Sequence, residues 1–125
     1  MVNALLDTSI LVDLLRDYPA ALSWYALKTD LGISRIAWME VIEGVESRRK
    51  QYAALKLLKR FEIVELTSAD MIWASDRLLR FSLSHNVDAF DCLIASANYR
   101  LGLTLFTRNL KHFTPLIGSL AQAPY

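Results

Sequence analysis

Four short apolar runs recur along the chain: "VNALL" at 2–6, "LGIS" at 31–34, "FEIVEL" at 61–66 and "LTLFT" at 103–107. Longer amphipathic stretches separate them. A strand that is apolar throughout has both faces buried, and strands linked by a dozen or more helical residues run parallel, with the helices laid over the sheet. The pattern predicts an α/β sandwich with a mainly parallel central sheet.

Caps and periodicity mark the helices. "TSILVDLLRD" at 8–17 follows Asp7, with Thr8 or Ser9 able to cap its first turn, and "PAALSWYALKTD" opens on Pro19 and ends before Gly32. "RIAWMEVIEGVESR" at 35–48 has Ser34 as cap, "RRKQYAALKLLKR" covers 48–60, and "ADMIWASDRLLRFSLSH" at 69–85 has Thr67 or Ser68. One more helix lies within "VDAFDCLIASANYRLGLTLFTRN", residues 87–109, ahead of the fourth strand. No linker, repeat or low-complexity tract interrupts the chain, so residues 1–125 are expected to form one domain with its own core.

The single cysteine, Cys92, and the lack of a Cys/His zinc pattern suit a reducing, cytoplasmic setting. The start "MVNALLDTSILVDLLR" has no basic leader, and the longest uncharged run, "FTPLIGSLAQAPY", is too short to span a bilayer, so no membrane association is expected. With 14 Lys plus Arg against 13 Asp plus Glu, net charge neither demands nor excludes a nucleic acid. Arg48 to Arg60 holds six basic residues and no acid. A solvated helix face explains that run as well as a phosphate-tracking one does. The 54% hydrophobic content and mean hydropathy of +0.25 are high, which suggests that apolar surface around Trp24, Tyr25, Trp38 or Trp73 is covered by a partner chain.

In an open parallel sheet, ligands bind beyond the carboxyl ends of the strands. Asp7 ends the first strand, Asn109 lies just past the fourth, and Asp91 sits near the start of the helix feeding it. Glu40 falls about a turn and a half into the helix after Ser34. Each acid has an ordinary alternative role. Asp88 and Asp91 suit a helix start, Asp7 a turn or cap, and Glu43 rivals Glu40. Asp13 and Asp17 read as solvated helix positions, Cys92 as a small core residue, and His85 and His112 as histidines without a partner pattern. What sets Asp7, Glu40 and Asp91 apart is their expected convergence. Three carboxylates brought together repel unless a cation or proton intervenes. Mg²⁺ or Mn²⁺ prefers such oxygen ligands, and phosphodiester hydrolysis is the chemistry that best fits.

The ordered set "LLDTSILVDLL", "ISRIAWMEVIEGVE" and "DCLIASANYRLGLTLFTRN", with the "F" of "LKHF", resembles a PIN-domain ribonuclease of the VapC toxin type. The resemblance reaches to about Gly118 and implies a three-layer α/β/α sandwich. It matches Asp7 to the family's first acid, Glu40 to a Glu four residues before a Gly (Gly44), Asp91 to the Asp before an "IA-A" helix, and Thr107 and Asn109 to a "T-x-D/N" element. It implies a metal-dependent endoribonuclease leaving a 5′-phosphate, with Asp7, Asp91 and Glu40 as ligands of Mg²⁺ or Mn²⁺, Asn109 as an auxiliary, and Ser9 and Thr107 in support. Many members carry Asp where this chain has Asn109. A neutral amide adds no charge, so one well-held metal and a second that binds weakly or only with RNA are expected. Arg108, Lys111, Arg48 and Arg49 are candidate RNA contacts. A homodimer and an inhibitory VapB-type antitoxin, lying in the groove leading to the acids, are also implied. The alternatives are a catalytically inert PIN-like module for RNA binding or assembly, and a PIN nuclease acting on DNA or in RNA processing outside a toxin–antitoxin system. A phosphoacceptor domain expects its acid on a middle strand, and a nucleotide-binding enzyme lacks a P-loop or "GxGxxG" turn here.

Overall fold

Leu5 and Leu6 are neighbours on an extended strand, so their side chains point to opposite faces of the sheet, and both are buried. A sheet with both faces covered is what parallel connections produce. The computed structural model, which describes residues 1–125, has this build. Its elements are β1 (Ala4–Leu6), α1 (Thr8–Leu15), α2 (Pro19–Tyr25), β2 (Leu31–Ser34), α3 (Arg35–Glu43), α4 (Arg48–Leu58), β3 (Glu62–Val64), α5 (Ser68–His85), α6 (Ala89–Leu101), β4 (Thr104–Phe106), α7 (Leu110–Ile117) and β5 (Ala121–Gln122).

The strand order is β3-β2-β1-β4-β5, and every pairing is parallel. β1 is central, with Leu5 opposite Gly32 on one side and Leu105 on the other. The chain builds outward through β2 and β3, then returns to the far side of β1 as β4. That reversal opens a crevice beyond the carboxyl ends of β1 and β4. α1 packs with α2, α3 and α4, while α5, α6 and α7 pack together, and the core unites Leu6, Ile10, Leu11, Ile33, Ile94, Leu105 and Phe113. Gly32 has a packing reason: a Cβ there would meet the Glu62 carbonyl and the Val2 side chain at 3.0 Å.

The structure departs from the sequence reading in four places. The helix expected over 35–48 ends at Glu43 with Gly44 at its C-cap, and Ser47 caps a new helix by accepting the Lys50 N–H. The helix from Pro19 stops at Tyr25, and the chain turns into β2 through Asp30, whose φ is +58°. α7 was hidden by Pro115, which lies inside it and removes the N–H that would bond the Lys111 carbonyl, and β5 by its two-residue length. Trp24, Tyr25, Trp38 and Trp73 are half-buried against the core. Among the most exposed large apolar side chains within the fold are Leu27 and, along α5, Ile72, Leu79 and Leu83. No helix is long and apolar enough to cross a membrane.

α5 and α6 are joined by a buried ion pair. Asp70 closes a capping box with Thr67 and accepts from the Arg100 Nε at 2.9 Å, with its side chain only 3% exposed. Burial opposes the charge on Asp70, but the Arg100 guanidinium and the Thr67 N–H outweigh it and hold the carboxyl below its ordinary 3.8. The unfolded state therefore binds the proton more readily, and this stabilisation is present above that value and lost as pH falls below it. Asp70→Asn should cost about 1–3 kcal/mol at neutral pH. In thermal unfolding the gap from the parent should narrow below pH 3.8. Equal melting temperatures at pH 7 would show that the pair contributes nothing.

Candidate active site

The site assembles in the crevice between β1 and β4. Asp7 leaves β1 with its N–H still bonded to the Phe106 carbonyl at 3.0 Å, and it caps α1. Its side chain is satisfied on both oxygens. Oδ1 accepts the Thr8 N–H at 2.7 Å, while Oδ2 accepts the hydroxyls of Ser9 and Thr107, each at 2.8 Å. Thr107 is fully buried, and its hydroxyl oxygen in turn accepts the Asn109 N–H at 2.9 Å.

Glu40 projects from α3 and accepts the Thr8 hydroxyl at 2.7 Å. Thr8 thereby links two of the acids, through its N–H to Asp7 and its hydroxyl to Glu40. Asp91 is the third residue of α6 and shares a reciprocal capping box with Asp88: each residue's N–H donates to the other's carboxylate, at 2.8 and 3.2 Å. Asp88 is thus the helix cap, as its ordinary reading had it, and it also orients Asp91. The His112 Nδ1 lies 3.3 Å from Asp91 Oδ2 and 2.9 Å from the Asn109 amide nitrogen. An Nδ1 without hydrogen accepts from the Asn109 amide, and one that carries hydrogen donates to Asp91.

Burial lifts the Glu40 carboxyl above its ordinary 4.5; the Thr8 hydroxyl opposes this, and the charges of Asp7, Asp88 and Asp91 add to it. Asp91 is lifted in the same sense by burial first; the Asp88 N–H and His112 oppose it, and Asp88 and Asp7 reinforce it. Asp7, Glu40 and Asp91 therefore sit within each other's field. Other buried acids are treated differently. Asp70 faces Arg100 and Asp13 faces Arg108, whereas Asp7, Glu40 and Asp91 have only hydroxyls, backbone N–H groups and one histidine. No three of these side chains yet close on a single point as a finished ligand set. Their chemistry nonetheless fits a hard divalent cation, since every donor is an oxygen and the uncompensated charge is negative. Asn109, at the start of α7, borders them through Thr107 and His112.

Two participants were missed in the sequence. Thr8 was read only as a cap, and His112 as unpartnered. The signal for His112 was its position three residues after Asn109, one turn along a helix that was not foreseen. Asp13, expected to be solvated, is buried and receives Arg108 and Tyr125. Burial beside Asp91 and Asp88 pushes the Cys92 thiol up to about 11, in keeping with a core residue. Arg48 and Arg49 are exposed in the first turn of α4 and Lys111 is exposed on α7, while the Arg108 guanidinium is engaged with Asp13.

Fold and acids together define a PIN domain. The PIN domain model matches residues 4–114, and the chain belongs to that family. Ribonuclease VapC19 of Mycobacterium tuberculosis is 34% identical over 127 residues, spanning 97% of this chain and 98% of that protein. Among solved structures, a DNA-bound VapBC from Salmonella typhimurium superposes with a TM-score of 0.82 at 23% identity over the full length of both chains. A toxin–antitoxin complex from Klebsiella pneumoniae does so at 0.75 with 28% identity, over 98% of each chain.

The raised carboxyls give a metal-free test. Asp91→Asn should lower the Glu40 pKa by removing one neighbouring charge, yet leave it above 4.5 because burial, the largest cause, persists. Carboxyl-carbon NMR titration reads this directly. A Glu40 pKa unmoved by the substitution would place the two acids out of each other's field. Because the folded state binds these protons more tightly, the metal-free protein should also lose stability as pH rises from 4.5 through the raised values.

Proposed function

We propose that this protein is a metal-dependent endoribonuclease of the VapC type, with Asp7, Glu40 and Asp91 as the side chains that hold Mg²⁺ or Mn²⁺. The observation that carries the reading is the contrast just drawn: acids from three separate segments share one crevice without an arginine, while buried acids elsewhere have one. The likeness to Ribonuclease VapC19 supports RNA as the substrate.

An ion bound there would acidify a coordinated water and neutralise charge on the phosphate. The chain does the rest. Asp7 is held still by three donors, and Thr8 aims Glu40 toward it. Glu40, oriented by the Thr8 hydroxyl beside Asp7, is suited to take the proton of the attacking water as its oxygen bonds to phosphorus. The bond from phosphorus to the 3′-oxygen then breaks and that oxygen takes a proton from solvent, leaving a 5′-phosphate and a 3′-hydroxyl. Asn109, neutral, orients rather than charges the site.

A VapB-type antitoxin is the proposed regulator. A cleft of about 290 Å³ runs from Glu40 between α1, α3 and α4, lined by Val12, Leu15, Val41 and Val45 with Arg16 and Lys50 at its rim. It would accept an apolar helix or tail ending near the acids. The exposed Ile72, Leu79 and Leu83 on α5 offer a face for a second copy of the chain.

Cleavage of a cellular RNA pool tests the enzyme. Discrete cuts should require Mg²⁺ or Mn²⁺, vanish with EDTA, and fall by at least about 100-fold in Asp91→Asn, since altering even an outer-shell residue typically costs 10–100-fold. Circular dichroism should show the fold unchanged. Equal cutting by a folded Asp91→Asn protein rules out the site. Asn109→Asp, which adds a charge, should bind Mn²⁺ several-fold more tightly in calorimetry; unchanged affinity would mean that position 109 does not face the ion.

A further inference from the structure

Arg108 lies between two residues that serve the site, yet it faces away from the acids. Its Nη1 meets the Asp13 Oδ2 at 2.9 Å, and its guanidinium lies over the rings of Tyr18 at 5.0 Å and Tyr125 at 5.5 Å. The same Asp13 oxygen accepts the Tyr125 hydroxyl at 2.7 Å. A carboxylate 8% exposed inside a helix is costly unless it is paired, and here a guanidinium and a phenol pair it together. Burial first, and then Asp13, push the Tyr125 phenol up, so it keeps its proton and remains a donor.

The cluster reaches the site through backbone. The Arg108 N–H donates to the Ser9 Oγ at 3.2 Å, and the Ser9 hydroxyl donates to Asp7. The Thr107 N–H is held by the Gln122 carbonyl at 2.9 Å, in the segment that delivers Tyr125. α1, the segment from β5 onward and the β4–α7 loop therefore meet at one residue. Fixing Arg108 fixes the two atoms the site needs from its neighbours: the Thr107 hydroxyl on Asp7 and the Asn109 N–H on Thr107.

We infer that Asp13, Arg108 and Tyr125 form a clamp that sets the Thr107–Asn109 loop against Asp7, which makes Arg108 and Tyr125 positioning residues of the site. Its effect on turnover rests on the ribonuclease reading; its effect on the loop does not. Lysine has no planar group to set against both tyrosine rings while it reaches Asp13, so Arg108→Lys should loosen the clamp while keeping the charge. Tyr125→Phe is gentler: it keeps the ring and removes only the hydroxyl.

The test combines three readouts on the full chain. Amide hydrogen exchange at Arg108 and Asn109 in metal-free protein should quicken roughly tenfold in both variants, with the amides of β1 unchanged. The kcat for RNA cleavage should fall roughly tenfold in Arg108→Lys and about threefold in Tyr125→Phe, with KM held, as expected when reacting groups are misplaced. In Arg108→Gln, the salt dependence of RNA binding should keep the parent slope; a slope smaller by about one would make Arg108 a phosphate contact and overturn the clamp. Unchanged exchange at Asn109 in a cleaving parent protein and both variants would also overturn it. Quickened exchange in the variants of a protein that cuts no RNA would sustain the clamp and sink the nuclease reading.

Discussion

The structure is organised around a buried carboxylate that has no basic partner. Asp7 ends the central strand, and its three donors come from the first turn of α1 and from the end of β4. They satisfy its hydrogen-bonding capacity without cancelling its charge. The donors can converge there because two parallel strands end side by side and the chain diverges to opposite sides of the sheet. The crossover order β3-β2-β1-β4-β5 creates one such place. Glu40 and Asp91 reach it from helices of the two different layers, so the packing of α3 and α6 decides how near the acids stand.

Electrostatics separates structure from function here. Where a buried acid serves the fold, an arginine answers it: Arg100 ties α6 to Asp70 at the start of α5, and Arg108 ties the β4–α7 loop to Asp13 on α1. Where the acids gather in the crevice, burial and mutual repulsion raise the proton affinity of Glu40 and Asp91. Such an arrangement is poor for stability and useful for binding a cation, which relieves the strain it finds. The two arginine pairs tie α6 to α5 and the β4–α7 loop to α1.

Much of this was legible in the chain. The runs "VNALL", "LGIS" and "LTLFT" mark buried parallel strands because they are mostly apolar and carry no charge, and the residues just after them gave Asp7 and Asn109. Ser34 and Thr67 announced their helices through capping chemistry. What stayed hidden depended on contacts between distant segments. Asp13 looks like any polar helix position until Arg108, 95 residues away, and Tyr125, 112 away, are folded onto it. His112 meant nothing without α7, whose internal Pro115 masks its helical period. Gly44 could have ended α3 in the sequence, but a single glycine inside a helical pattern is a weak stop signal.

The central claim is that Asp7, Glu40 and Asp91 together make a cation site. An electron paramagnetic resonance titration of Mn²⁺ into the purified chain, with Asp7→Asn alongside, tests it most directly. The account predicts a single tight class of bound Mn²⁺ that Mg²⁺ displaces and that Asp7→Asn loses. Equal binding by both proteins, or none by the parent, would contradict it.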